Sequence, residues 1–479
     1  MTTPLSSPPK PKTDIRRVGI LFSGGPAPAA NAVIGSAAVC FSRAGIEVLG
    51  FLNGYTHLMA YEPGRGLEEG AAYVMLHAKD LEGRRTGPGI MIGTARANPG
   101  KSVAGPDDLK DPEATAELRT VYEALCSLEI DALVSIGGDD TLTTAAKFKL
   151  FQDGLPADKR RIRVVHLPKT IDNDYEGIDF TFGYFTAVDM LATEVRNLLA
   201  DAEAANAWYV VQVMGRKAGW LAYGAAIAGE SSLVIGLEDI LDAWRSEEVT
   251  VHPKTGEEVL GDDGKPLMRK IINLEAVVDR IVQTVLARLD EGKPYGVILI
   301  AEGLGEYLSL VETEKCVSRD EFLNLKPDSF GHFPVSQLKF TGRVGRWVAE
   351  KVKKLRDRDL KISGLQFGYE VRAQRPTAFD VALGSQLGVG AYRALAEEGL
   401  DGVMVSVRDQ LELDYKPFFN PKDPKKSLVD RKTLRAKTRL IKPGEGFHQL
   451  ARYLEIRVDE ERGQGTGNRG EGTGGRNDD

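Results

Sequence analysis

Ile162-Arg163-Val164-Val165-His166-Leu167-Pro168-Lys169-Thr170-Ile171-Asp172-Asn173-Asp174 is the stretch on which the fold turns. Its first half is short, apolar and partly β-branched, which reads as a buried strand. The second half switches abruptly to a cation, a hydroxyl and two carboxylates, so Lys169, Asp172 and Asp174 stand where a parallel strand ends. Ligands of open α/β sheets bind outside such carboxyl ends. Upstream, a second apolar run, Asp131-Ala132-Leu133-Val134-Ser135-Ile136, ends in Gly137-Gly138-Asp139-Asp140. Two strand ends thus deliver four acids and one lysine. Carboxylates taken out of water without compensation are costly, so such a cluster binds metal, titrates or does chemistry.

Outward from that stretch the pattern alternates. Apolar runs predict strands over 18–22, 48–52, 132–136, 164–167, 209–213, 233–235, 297–300 and 403–407. Helical periodicity covers 29–42, 114–128, 186–204, 274–289 and 382–397. Strand and helix in alternation imply right-handed crossovers and parallel sheets clothed by helices. Eight strands crowd a single sheet, so the expected fold class is α/β, with two doubly wound, mostly parallel-sheet domains facing a shared active-site cleft. The expected divisions are a flexible N-terminal arm (1–15), a first domain (16–165) and a second domain (166–372). A C-terminal segment (373–459) is expected to pack back on both, followed by a disordered Gly-, Asn- and charge-rich tail (460–479). Turn signals at Thr255-Gly256 and Asp263-Gly264 mark 246–270 as a hairpin-like insertion within the second domain.

Composition narrows the function classes. Of 479 residues, 42% are hydrophobic and 27% charged, as in ordinary soluble globular proteins. No apolar run approaches a membrane helix and no signal peptide opens the chain, so no membrane partner is expected. The three cysteines (Cys40, Cys126, Cys316) have no metal-like spacing and fit reduced thiols in a cytoplasmic protein. A net charge of −7 argues against nucleic-acid binding, and phosphorylated ligands then need local cations. Two glycine patterns carry no nucleotide meaning. Gly463-x-Gly465-x-Gly467 lacks a strand or helix, and Gly100-Lys101-Ser102 has Ala95 where a P-loop needs glycine.

Each remaining strand end offers a chemical group. Ser23-Gly24-Gly25 opens the turn into the first helix, where backbone N–H groups can meet an anion, with a plain tight turn as the alternative. Asp139 suits magnesium, which takes few carboxylates and keeps water and phosphate oxygens. An N-cap ahead of a helix at 142–148 is the bland reading for Asp139 or Asp140, though not for both. Of Asp172 and Asp174, one can serve as general base while the other supports metal or orientation, and Lys169 can neutralise a transferring phosphoryl group. Met214-Gly215-Arg216 and Tyr369-Glu370-Val371-Arg372 place arginines that suit phosphate oxygens, with surface ion pairing as the alternative. Glu302 can accept hydrogen bonds from sugar hydroxyls or simply be solvated.

Taken in order, Ser-Gly-Gly, Gly-Gly-Asp, Pro-x-Thr-Ile-Asp-Asn-Asp, Met-Gly-Arg, Glu and Gly-x-x-x-Arg resemble the phosphofructokinase family, over residues 18–395. The resemblance implies transfer of a phosphoryl group to the 1-hydroxyl of fructose 6-phosphate, from ATP or pyrophosphate, with Mg2+ as cofactor. ATP-using members generally carry glycines where this chain has Asp140 and Lys169, and the pair resembles pyrophosphate users. A carboxylate at Asp140 would crowd and repel the α-phosphate of a nucleotide, whereas pyrophosphate ends before that point. Tyr369, where many ATP users have histidine, points the same way.

Carried over residue by residue, the resemblance implies Asp172 as the base, with Lys169 and Asp140 completing the catalytic set. Asp139 and Asp174 become the metal ligands, and Gly25 and Arg96 the donor contacts. Thr170, Ile171, Asp172, Met214, Gly215, Arg216, Glu302, Tyr369 and Arg372 become the sugar-phosphate site. The first domain is then the donor side and the second the sugar-phosphate side. A homo-oligomer, dimer or tetramer, is also implied, although Ala207 and Ser363 stand where many relatives carry arginines reaching a neighbouring subunit. Pro26 replaces the acid usual after Ser-Gly-Gly. The rival readings are an ATP-dependent kinase of the same fold and a catalytically silent regulatory subunit. Retention of Asp139, Asp172 and Asp174 speaks against the second. A lipid or NAD kinase also uses a Gly-Gly-Asp loop but lacks the Pro-x-Thr-Ile-Asp-Asn-Asp segment.

Overall fold

The computed structural model describes residues 7–458 apart from 241, 252–256, 262, 318–320, 322–323 and 325–334. The tail at 460–479, the arm's residues 1–6 and part of the 246–270 insertion lie outside the described residues. In chain order the strands are β1 (Arg17–Ser23), β2 (Glu47–Phe51), β3 (Tyr73–Met75), β4 (Ala132–Gly137), β5 (Arg163–Pro168), β6 (Ala207–Val213) and β7 (Leu233–Ile235). They continue with β8 (Arg245–Val249), β9 (Met268–Ile272), β10 (Gly296–Ala301), β11 (Lys361–Phe367), β12 (Val403–Arg408) and β13 (Glu412–Pro417).

Two helix-covered sheets result, as the α/β reading expected. The first has the order β13-β12-β5-β4-β1-β2-β3, parallel except for its edges β13 and β3. The second, β11-β6-β10-β7, is parallel throughout. β4 and β10 are buried along their whole length, which explains their largely apolar sequences. β8 and β9 pair antiparallel, Arg245 opposite Ile272, as a separate two-stranded ribbon.

Register brings the chemistry together. In the first sheet Ser23 lies opposite Gly137, and Gly137 opposite Pro168, so three strands end at one level. In the second, Val213 lies opposite both Ala301 and Phe367. The segments leaving these strands carry Gly24, Gly138, Lys169, Met214, Glu302 and Gly368.

Helix Ala378–Tyr392 locks the C-terminal part onto the first sheet by packing along helix Ala30–Arg43. The approach needs glycine: a Cβ on Gly388 would overlap the Ser36 hydroxyl and the Val33 carbonyl. The buried Asp380 carboxylate accepts the Thr186 N–H (2.7 Å) and hydroxyl (2.5 Å), tying this helix to helix Tyr184–Ala205. No described helix is long and apolar enough to cross a membrane.

The structure differs from the sequence expectation at particular places. Helix Asp139–Asp153 starts at Asp139, with Gly138 as its N-cap, rather than at 142. Asp139 and Asp140 are therefore first-turn residues beside the positive end of the helix dipole, and neither is an N-cap. The helix expected over 382–397 begins at Ala378 and passes into a π-helical turn at Arg393–Glu397.

Candidate active site

A cleft of about 440 Å³ opens between the ends of the two sheets. Gly25, Arg96, Asp139, Asp140, Lys169, Thr170, Ile171, Asp172 and Asp174 line it from the first sheet's side. Met214, Gly215, Arg216, Glu302, Tyr369 and Arg372 line it from the second. Every residue given a catalytic, metal, donor or sugar-phosphate role from the sequence thus lines the same space.

The first sheet's end of the cleft rests on two glycine turns. Gly24 adopts φ +91°, a left-handed conformation that glycine tolerates, and donates its N–H to the Ala95 carbonyl at 2.9 Å. Thr94 returns a hydroxyl bond to the Gly24 carbonyl at 2.7 Å, so the strip carrying Arg96 is stitched to the turn. Lys169 donates its backbone N–H to Gly137 at 2.9 Å. Its ammonium threads between the turns: a Cβ on Gly24 would lie 3.5 Å from Nζ, and one on Gly138 3.9 Å. Burial of Lys169 pulls its ammonium down to about 8, against the opposing pull of Asp172.

The acid loop is tightly turned. The Thr170 hydroxyl accepts the Asp172 N–H at 3.0 Å, and Thr181 donates its hydroxyl to the Thr170 carbonyl at 2.7 Å. Asn173, at φ +53°, reverses the chain between the two acids, and its side chain accepts the Thr181 N–H at 3.0 Å. Burial raises the Asp172 carboxyl, while Arg372 and Lys169 oppose the rise. Burial, then the like charges of Asp172 and Asp139, push Asp174 up to about 7. Beneath the loop, Tyr175 donates to the Gly137 carbonyl (2.8 Å) and lies 2.9 Å from His166 Nε2. Burial drives that histidine to about 3, so it stays neutral and structural.

On the facing wall, Gly215 takes φ +124° and accepts the Gly303 N–H at 3.2 Å, which fixes Arg216 beside Glu302 with Nε 3.8 Å from Oε1. Glu302 is 5% exposed, and burial raises its carboxyl against the pull of Arg216. The Arg372 guanidinium lies 4.6 Å from the centre of the Tyr369 ring, at the mouth. A Cβ on Gly25 would come within 4.0 Å of Arg372 Cζ, so this arginine from the second sheet's side reaches across to the first.

Sequence reasoning passed over several lining residues, Lys217, Asn98 and Thr144 among them. Lys217 crosses the cleft to pair with Asp139. It adjoins Arg216 in sequence, but nothing in the sequence shows that it bridges the two sheets. Asn98 and Thr144 join at 2.8 Å, and Asn98 also accepts the Gly100 N–H at 3.0 Å, walling the cleft near Asp140. Each lies just beyond a residue the motifs mark, Arg96 or Asp140, but carries no charge of its own to flag it.

Among the described residues no group of three or more His, Cys, Asp or Glu is arranged to hold a metal alone. Asp139 nevertheless lies close enough to raise the proton affinity of both Asp172 and Asp174. That suits a hard cation bound through one or two carboxylates and completed by phosphate oxygens, so the residues fit magnesium. Buried carboxylates, opposing cations and glycine turns together can activate a hydroxyl and stabilise anionic phosphate.

Comparison with known proteins bears on the identity of this cleft. Residues 17–252 match the family model described as Phosphofructokinase. The chain is 32% identical over 455 residues to the pyrophosphate–fructose 6-phosphate 1-phosphotransferase of Naegleria fowleri, covering 93% of this chain and 89% of that protein. It is 31% identical over 396 residues to the ATP-dependent 6-phosphofructokinase of Spirochaeta thermophila, covering 82% and 88%. Among solved structures it resembles the phosphofructokinase of Pichia pastoris in the T-state, with TM-score 0.58 and 21% identity over 86% of this chain. It spans only 36% of that longer chain, and at this identity the likeness speaks for the fold alone.

Proposed function

The chain belongs to the phosphofructokinase family, and within it we propose a magnesium-dependent enzyme that uses pyrophosphate. It transfers a phosphoryl group reversibly to the 1-hydroxyl of fructose 6-phosphate, giving fructose 1,6-bisphosphate and phosphate. The observation that carries the donor assignment is Asp140. Its carboxylate stands in the first turn of helix Asp139–Asp153 on the cleft wall, where Asn98 and Thr144 also close the space. A nucleotide's α-phosphate would meet a like charge there, whereas a donor of two phosphates stops short. Relatives named for each donor match at similar identity, so the site has to decide between them.

In this reading the first sheet's side of the cleft holds the donor through Gly25 and Arg96, and the sugar phosphate is held mainly from the second sheet's side. Thr170, Ile171, Met214, Gly215, Arg216, Glu302, Tyr369 and Arg372 orient the sugar. Asp172 accepts the proton of the 1-hydroxyl as its oxygen attacks phosphorus and the bridging P–O bond breaks. Lys169 neutralises the departing phosphate, which has no nucleoside to disperse its charge. Asp139 and Asp174 would hold magnesium, which when bound shields the donor's oxygens. Because phosphate leaves from a simple anhydride, the net drive is small and both directions are used. The test is fructose 1,6-bisphosphate formation by the purified chain with magnesium and either donor. Turnover with ATP and none with pyrophosphate removes the donor assignment, and turnover with neither favours a regulatory subunit.

A further inference from the structure

The acid loop has an outer brace, and it comes from a segment far beyond the residues matched by the family model. Thr438 forms a bridge with Tyr175, and the next residue, Arg439, donates its backbone N–H to the Asp174 carbonyl at 2.7 Å. The Arg439 guanidinium donates to the carbonyls of Ile178 (2.7 Å), Asp179 (2.7 Å) and Asn173 (3.2 Å). The same group lies 4.7 Å over the ring of Trp220, whose indole N–H donates to the Arg439 carbonyl at 3.2 Å. Two residues on, the Ile441 N–H donates to Glu238 at 3.3 Å, sharing that carboxylate oxygen with the Gly219 N–H at 3.0 Å. One short segment thus grips the turn between Asp172 and Asp174 on one side and the segment following Arg216 and Lys217 on the other.

That turn needs a grip. Asn173 holds a left-handed φ of +53°, a conformation that persists only where the surroundings enforce it. Thr181 enforces it from within through the Asn173 side chain, and Arg439 from outside through the Asn173 carbonyl. Among the described residues Arg439 does not line the cleft, so its effect on chemistry runs through the loop.

We propose that Arg439 is a positioning residue for phosphoryl transfer, holding the Asp172–Asp174 turn in register with the Arg216-bearing segment of the second sheet. The inference rests on Asp172 being the proton acceptor. A lysine cannot replace it, because its single ammonium lacks the planar fork that serves three carbonyls while stacking on an indole. Misplacing reacting groups by about 1 Å costs on the order of 100-fold in rate. Arg439→Lys in the full chain should therefore lower kcat roughly 10- to 100-fold while the KM values for donor and sugar stay within about threefold. Deuterium uptake of the 170–181 peptide should rise in parallel.

Arg439→Ala supplies the second arm: millimolar guanidinium should restore at least part of the lost kcat, and equal urea should not. A purely structural staple predicts a lower Tm with kcat intact. Finding kcat within twofold of wild type in Arg439→Lys, or unchanged uptake at 170–181, overturns the proposal. Should the alanine variant not fold, the lysine variant decides alone. The comparison uses whichever donor the wild type accepts, so an error over the donor shows in wild type and leaves this test intact. An error over the base shows separately, as turnover surviving Asp172→Asn.

Discussion

Replacing Lys169 with arginine should remove an alkaline limb from the pH–rate profile. Lys169 is 6% exposed, and burial lowers its ammonium from the ordinary 10.5 to about 8, Asp172 limiting the fall and Arg372 adding to it. At pH 9, about one unit above that midpoint, only roughly a tenth of the enzyme keeps the charge. In the proposed reaction the ammonium neutralises the departing phosphate, so kcat/KM should fall nearly tenfold per pH unit above 8. Bound anionic donor favours the ammonium, so the corresponding limb in kcat should lie at higher pH. Arginine keeps its charge throughout this range, so the variant, slower overall, should show no limb near pH 8. Titration of the donor itself is common to both proteins and cancels in the comparison.

The same shift has a stability counterpart. Between about 8 and 10.5 the unfolded chain binds the Lys169 proton and the folded chain does not, so stability should rise with pH across that window. The gain is on the order of 3 kcal/mol at most, and Lys169→Met should lack it. The assay is initial rate from pH 6 to 10 with both proteins, with urea denaturation at matched pH. A limb with the same midpoint in wild type and arginine variant would refute the reasoning.

Further outcomes follow from the same geometry. Asp172→Asn should cost about 10²- to 10⁴-fold in kcat, read in single-turnover experiments. Its Tm should not fall, because burial already disfavours the charged carboxyl. Gly388→Ala should destabilise by roughly 1–3 kcal/mol in urea titration, since its Cβ would meet the Ser36 hydroxyl and the Val33 carbonyl. That variant's turnover per folded molecule should be unchanged, because the contact lies at the helix Ala30–Arg43 crossing rather than at the cleft.

What the sequence reveals follows from where side chains point. β1, β4, β5 and β10 are buried on both faces, so they appear as mostly apolar runs without alternation and their ends announce the site. β11 and β13 are edge strands with mixed exposure, Lys-Ile-Ser-Gly-Leu-Gln-Phe and Glu-Leu-Asp-Tyr-Lys-Pro, and neither is readable as a strand. β3 has three half-exposed residues, too few for a period to register. The site residues legible in advance sit at or just beyond strand ends, where a change from apolar to charged marks them. Lys217, Asn98, Thr144 and Arg439 act through partners distant in sequence, and only tertiary packing reveals them. The start of helix Asp139–Asp153 was hidden because two aspartates imitate a capping signal, whereas Gly138 fills that role.

The central claim is that the Asp140 carboxylate occupies space a nucleotide would need. Its direct measurement is the ratio of kcat/KM for ATP to that for pyrophosphate, in wild type, Asp140→Gly, and Asp140→Gly combined with Lys169→Gly. Removing a like charge worth several kcal/mol should raise that ratio by about 100-fold or more in at least one variant. A ratio that stays within about threefold of wild type in both would contradict the account.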